Sequence, residues 1–269
     1  MTIDLNEILA TAQDAALQAG RLISEYRQKG LVRTDYKDNN SLVTSADIAS
    51  EKLIIDIVRR KFPDHKFLCE ESSPSVQNKA DYLSPLWIID PIDGTTNYAY
   101  HQLQVAVSIA WSIDGVTQVG VVHAPFQHET FTSAKGSGAY LNNSRITIRS
   151  DSSLPSALIA TGFRRRTALA AEMLQVQAVL THCRDLRRLG SAALDICWVA
   201  CGRLDGFYAT VNSWDIAAAN LIAREAGAIT GHIQDLPVDL EMPEELYGKG
   251  TMTATPAVFD KLREILKIS

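Results

Sequence analysis

Apolar residues in the first thirty positions recur every three or four: Leu5, Ile8, Leu9, Ala12, Ala16, Ala19, Leu22, Ile23 and Tyr26. That spacing lines them along one face of a helix. Asp4 is placed to cap its start, with Glu7 reaching back, and Gly30 to end it. A second helix is predicted beyond Thr44, with Leu53, Ile54, Ile57 and Val58 inward and Phe62-Pro63-Asp64 as its breaker. The period then changes. Residues 66–69 and 86–89 read as short buried strands, and 105–113 and 116–122 as β-branched strands joined by the hairpin pair Asp114-Gly115. Strands at 130–134 and 139–141 flank Lys135-Gly136-Ser137-Gly138. This glycine-rich stretch lacks the P-loop pattern and lies between strands, so it reads as a hairpin turn.

After about residue 150 strand and helix alternate. Strands are predicted at 157–161, 186–189, 207–211 and 251–254. Helices are predicted at 168–180, at 191–201 with Gly202 after it, at 215–226 with Gly227 after it, and from Thr255-Pro256 onward. Such alternation implies sheets covered by helices, an α/β arrangement. Residues 1–150 read as an N-terminal α+β lobe and 151–269 as a C-terminal α/β lobe of one compact unit. There is no internal repeat and no low-complexity tract.

Composition narrows the class. A hydrophobic share of 46% with 21% charged residues supports a sizeable globular core. A net charge of −5 argues against a nucleic-acid partner. No apolar run approaches the roughly 20 residues that span a bilayer, and the first residues lack a signal-peptide pattern. The expected location is cytoplasmic, with no membrane association. Cys69, Cys183, Cys197 and Cys201 form no Cys-x-x-Cys pair and read as buried reduced thiols.

The chemistry concentrates in Trp87-Ile88-Ile89-Asp90-Pro91-Ile92-Asp93-Gly94-Thr95-Thr96-Asn97. An apolar strand ends in two carboxylates three residues apart around a proline, followed by small and hydroxyl-bearing residues suited to opening a helix. Acids at a buried strand end are expensive unless a cation compensates them. Further acids stand where strands end or helices begin: Asp47, Glu70, Glu71 and Asp215. Oxygen-only ligands suit hard cations such as Mg²⁺ or Mn²⁺. By spacing alone, Thr44 and Asp47 form a capping box.

Glu70-Glu71-Ser72, the stretch 87–97, and Trp214-Asp215-Ile216-Ala217-Ala218 with Glu225-Ala226-Gly227 resemble, in order and spacing, the three signature blocks of the inositol monophosphatase family. The resemblance covers nearly the whole chain. It implies the layered αβαβα sandwich of the inositol monophosphatase and fructose-1,6-bisphosphatase type. It also implies a phosphomonoesterase using two or three Mg²⁺ ions, with Mn²⁺ as the alternative. One ion would take Glu70, Asp90 and the Ile92 carbonyl, a second Asp90, Asp93 and Asp215, and a weaker third would lean on Glu70. The family pattern makes Asp47, Glu70 and Thr95 catalytic, Thr95 orienting the attacking water with Asp47 behind it. It gives substrate contacts to Asp93, Gly94, Thr95, Ser191, Ala192 and Asp215, and implies lithium sensitivity and a homodimer.

A small phosphorylated polyol or sugar is the implied substrate, inositol 1-phosphate first. Inositol-specific members, however, carry a glutamate shortly before the Trp-Asp block, and here no acid lies between Asp205 and Asp215. Arg164-Arg165-Arg166 and Arg187-Arg188 read either as solvated basic patches or as anchors for a second phosphate. Lys37 lies where the family often keeps a basic residue. Fructose 1,6-bisphosphate, 3′-phosphoadenosine 5′-phosphate and NADP are the alternative substrates, and a non-catalytic scaffold is the reading from another class.

Overall fold

The computed structural model describes residues 4–36, 42–72, 76, 78–163 and 169–267. Lys37 and Arg164 to Arg166 therefore lie outside the described residues. The chain opens with α1 (Leu5–Gln28), capped by Asp4, whose carboxylate accepts the Asn6 N–H at 2.9 Å. Asp4 bonds the second helical N–H rather than the third, and the reciprocal bond expected of Glu7 is absent among the described residues. Gly30 follows the helix at φ +65°, the left-handed position glycine fills without strain. A small hairpin, β1 (Thr34–Tyr36) against β2 (Leu42–Thr44), leads to α2 (Ser45–Lys61).

Seven strands then form one sheet: β3 (Lys66–Cys69), β4 (Leu86–Asp93), β5 (Ala106–Ile113), β6 (Val116–Ala124), β7 (Glu129–Ala134), β8 (Ala139–Leu141) and β9 (Ser144–Ile146), with the five-residue α3 (Thr95–Ala99) between β4 and β5. β3 and β4 are parallel and the remaining pairs antiparallel. Asp114 and Gly115, at φ +54° and +75°, make the β5–β6 turn with both central residues left-handed, the hairpin geometry that matches strand twist.

The second sheet has the order β11-β10-β12-β14-β13. It contains β10 (Leu158–Thr161), β11 (Asp185–Arg187), β12 (Gly206–Ala209), β13 (Ile229–His232) and β14 (Thr251–Ala254). Its helices are α4 (Leu169–His182), α5 (Ala192–Ala200), α6 (Ser213–Glu225) and α7 (Pro256–Leu266).

Strand alternation sorts the core. Within β4, Trp87 and Ile89 join α1 and α2 in one apolar cluster, while Leu86 and Ile88 join α5 and α6 in another. A third cluster closes the second sheet under α7. The order of layers is thus α1 and α2, seven-stranded sheet, α5 and α6, five-stranded sheet, α4 and α7, the αβαβα sandwich expected. Because both faces of β4 are covered, all eight of its residues are buried, Asp90 and Asp93 included. The four cysteines are free, and no helix among the described residues is long and apolar enough to cross a membrane.

One contact fixes α6 against the first sheet. A Cβ on Gly120 of β6 would lie 2.6 Å from the Ala218 carbonyl oxygen and 3.1 Å from its Cα, so the helix rests on the strand backbone. Gly120→Ala is expected to destabilise the fold by about 1–3 kcal/mol, measured as a fall in Tm. An unchanged Tm would mean that α6 lifts without penalty.

Candidate metal centre

On a regular strand, residues three apart face opposite sides of the sheet. β4 avoids this. Asp90 pairs with Ser108 and Asp93 with Ala106, so three steps on β4 oppose two on β5 and one extra residue is accommodated as a bulge. Pro91 lies in the bulge, where its missing N–H breaks no ladder bond. Both carboxylates consequently turn to one side, where they meet Asp215 at the start of α6. Ligand oxygens of Asp90, Asp93 and Asp215 all lie within 4.8 Å of one another. Two segments more than a hundred residues apart supply this cluster.

Each acid has a separate anchor. Asp90 Oδ1 accepts the Ile92 N–H at 2.9 Å. Asp215 Oδ2 accepts the Asn212 N–H at 2.7 Å, closing the capping box of α6. Asp93 holds the start of α5: its Oδ2 accepts Ser191 Oγ at 2.6 Å and the Ala193 N–H at 2.7 Å, and its Oδ1 the Ala192 N–H at 3.3 Å. Ser191 and Ala192, read from the sequence as substrate contacts, are therefore gathered onto Asp93. Glu70, half-buried at the end of β3, stands outside the 4.8 Å group, yet its charge acts on Asp47, Asp90, Asp93 and Asp215.

The electrostatics follow from burial first and from like charge second. Asp90 is pushed well above the usual carboxylate range by burial and by Glu70, Asp93 and Asp215. Burial raises Asp215 to about 8, with Asp93 adding to the rise. It raises Asp93 only to about 6, because the bonds from Ser191, Ala193 and Ala192 oppose it. Such a cluster favours its charged form only with a cation present. Carboxylate oxygens without thiol or imidazole fit a hard divalent ion.

Behind the acids, fully buried Asp47 accepts the Thr44 N–H at 2.8 Å and Thr44 Oγ1 at 2.5 Å on Oδ2. The capping box read from spacing is thus present. Oδ1 of Asp47 remains for Thr95, whose hydroxyl lies 3.2 Å from it and 3.2 Å from the Ile92 carbonyl. One hydroxyl proton serves one of these acceptors at a time. Burial raises Asp47 to about 6. Gly94 precedes α3 at φ +94°, where a Cβ would meet the Gln104 carbonyl at 2.8 Å and the Gly190 carbonyl at 3.2 Å. Asn97 Nδ2 ties the same turn to the Gln104 and Leu189 carbonyls, at 2.8 and 2.7 Å.

Beside this cluster a cleft of about 150 Å³ is lined by Asp93, Thr161, Phe163, Arg188, Asp195 and Asp215, among others. Asp195 was not singled out by sequence reasoning. It is 2% exposed, and its Oδ1 has no hydrogen-bond partner. The available signal was an acid inside the otherwise apolar run 192–200. Of the two adjacent arginines, Arg187 is held by Asp185 at 2.6 Å, whereas Arg188 lines the cleft.

Residues 4–266 match the family model of the inositol monophosphatase family. The chain is 39% identical over 229 residues to a protein named Nus factor SuhB from Pasteurella multocida, covering 84% of this chain and 85% of that one. It is 40% identical over 233 residues to inositol monophosphatase 1 of Solanum lycopersicum, covering 84% of each. Among solved structures, the inositol monophosphatase of Anabaena (Nostoc) is similar with a TM-score of 0.81 and 35% identity, covering 98% of this chain and 96% of that one.

Asp93 and Asp215 hold protons up to about pH 6 and about pH 8 in the folded chain, against about 4 for an ordinary aspartate. The folded state thus binds more protons than the unfolded one over this window, and stability falls as pH rises through it. With a chelator present, Tm is expected to decline between about pH 5 and about pH 8, and millimolar Mg²⁺ to recover it most at the alkaline end. A Tm flat with pH and indifferent to Mg²⁺ would remove the cation from this site.

Proposed function

The chain belongs to the inositol monophosphatase family of metal-dependent phosphatases, and from that premise we propose that it hydrolyses the phosphomonoester of a small polyol or sugar, inositol 1-phosphate among them. The observation carrying this reading is the convergence of Asp90, Asp93 and Asp215 within 4.8 Å. Together with Glu70 and the Ile92 carbonyl, these residues would hold two or three Mg²⁺ ions, or Mn²⁺ in their place. Bound there, the ions supply a water of lowered pKa and neutralise charge on the phosphoryl oxygens.

The chain's own groups perform the remaining work. Thr44 fixes Oδ2 of Asp47, which leaves Oδ1 to accept the Thr95 proton. Thr95 then turns its lone pairs outward and orients the attacking water. Asp47, raised to about 6 by burial, takes up a proton near neutral pH through that hydroxyl. Gly94 and Thr95 approach the phosphoryl oxygens with backbone N–H groups. Asp93 fixes α5 and the Ser191–Ala192 corner at the substrate's edge.

Relatives named Nus factor SuhB motivate a second reading, an interaction role with or without catalysis. α4 leaves Leu169, Met173, Leu174 and Leu180 exposed, which supports a homodimer contact. The proposed location is cytoplasmic.

Phosphate release from inositol 1-phosphate with Mg²⁺ is the primary test. Asp47→Asn is expected to reduce kcat by about 10²–10⁴-fold, and Asp93→Asn to abolish Mg²⁺-dependent turnover while keeping the native circular dichroism spectrum. Parental rates in Asp93→Asn would refute the metal assignment. A folded wild-type protein without activity on any phosphomonoester would leave the interaction role standing.

A further inference from the structure

The cleft beside the acids contains a cation with no assigned task. Arg188 follows Arg187 directly, yet their circumstances differ. Arg187 is neutralised by Asp185 two residues earlier. Arg188 makes no hydrogen bond and no ion pair among the described residues. Its guanidinium stands over the Phe163 ring, 5.7 Å from the centroid. A guanidinium resting on an aromatic face keeps its N–H fork free for an anion.

Position gives that fork a direction. A Cβ on Gly190 would lie 2.9 Å from Arg188 Nη1, and Gly190 in turn touches the turn at Gly94. Arg188 is therefore next to the proposed phosphoryl site, on the side where Phe163 and Thr210 line the cleft. On the inner wall stands Asp195, buried and with one oxygen unpartnered; burial and the charge of Asp93 push its carboxyl well above the usual range, and Arg188 opposes them only in part. At the adjoining end of β12 stand Ala209 and Thr210, neither of them charged. Among the described residues lining the cleft Arg188 is the one cation, and it presents N–H donors to an anionic group.

We infer that Arg188 is a specificity-determining residue that receives a second anionic group on the substrate, so that doubly charged phosphate esters are preferred to neutral-polyol monophosphates. This inference rests on the phosphatase reading above and names the substrate class for the same site. A second phosphate suits the fork best, since guanidinium binds it through two parallel hydrogen bonds.

The test compares kcat/KM for fructose 1,6-bisphosphate and inositol 1-phosphate in wild type, Arg188→Ala, Arg188→Lys and Arg187→Ala, all with saturating Mg²⁺. The wild type is expected to favour the bisphosphate. Arg188→Ala should lower that preference about ten-fold or more, chiefly through KM, and Arg188→Lys should restore part of it. Arg187→Ala should leave the preference within about two-fold, as expected for a half-exposed charge already paired with Asp185. Equal losses on both substrates in Arg188→Ala, or a wild type preferring inositol 1-phosphate, would overturn the inference while leaving the phosphatase reading intact. A wild type that releases phosphate from neither compound would overturn both.

Discussion

Mutual repulsion of converging carboxylates, two buried and one half-buried, is the constraint that the rest of the structure serves. Two charges about 5 Å apart at an effective dielectric of about 20 repel by roughly 3 kcal/mol. Asp90, Asp93 and Asp215 make three such pairs, a sum comparable with the whole stability of a typical domain, about 5–15 kcal/mol. A fold that gathers them needs compensation from elsewhere. Part comes from the backbone N–H groups of Ile92, Ala192, Ala193 and Asn212, each directed at one of the three acids. The remainder is a matter of protons or cations, as the raised pKa values of all three indicate.

Much of this was legible in the chain. The continuous apolar run 86–89 in β4 and the three-four spacing of α1 are read directly from apolar positions, and the layers follow once both faces of β4 require cover. Thr44 and Asp47 announced a helix start through spacing, and the bonds are present. Asp215 is the third residue of α6 rather than its first, because Asn212 supplies the cap. Other features left no comparable mark. The bulge that brings Asp90 and Asp93 to one side is a property of pairing with β5, and periodicity along one strand cannot express it. Hairpin strand β1 is exposed along its length and gives no apolar signal. Strand β13 contains Gly231, where a Cβ would lie 3.0 Å from the Phe259 ring, and only its partner β14 makes it a strand. Asp195 was readable as an acid in an apolar helix, but its unpartnered oxygen belongs to tertiary structure.

The division of labour between the two ends of the site is also physical. Acids and helix starts crowd at β4, where burial is complete and geometry is over-determined. Across the cleft, Phe163, Arg188 and Thr210 sit on loops and strand ends, where replacement leaves the core unchanged. One part fixes the reaction and the other part is free to vary what is bound.

The seating of α6 on Gly120 bears on which ion the acids accept. Mg²⁺ binds oxygens at about 2.0–2.1 Å in near-octahedral order, whereas Ca²⁺ takes them at about 2.3–2.6 Å in looser shells. Admitting the larger ion requires the oxygens of β4 and α6 to spread by several tenths of an ångström. A helix that meets its strand carbonyl to backbone, with no side chain between to compress, gives little of that room. For a divalent ion held by these acids, the room to spread would be limited two strands away from β4, by a residue with no side chain at all.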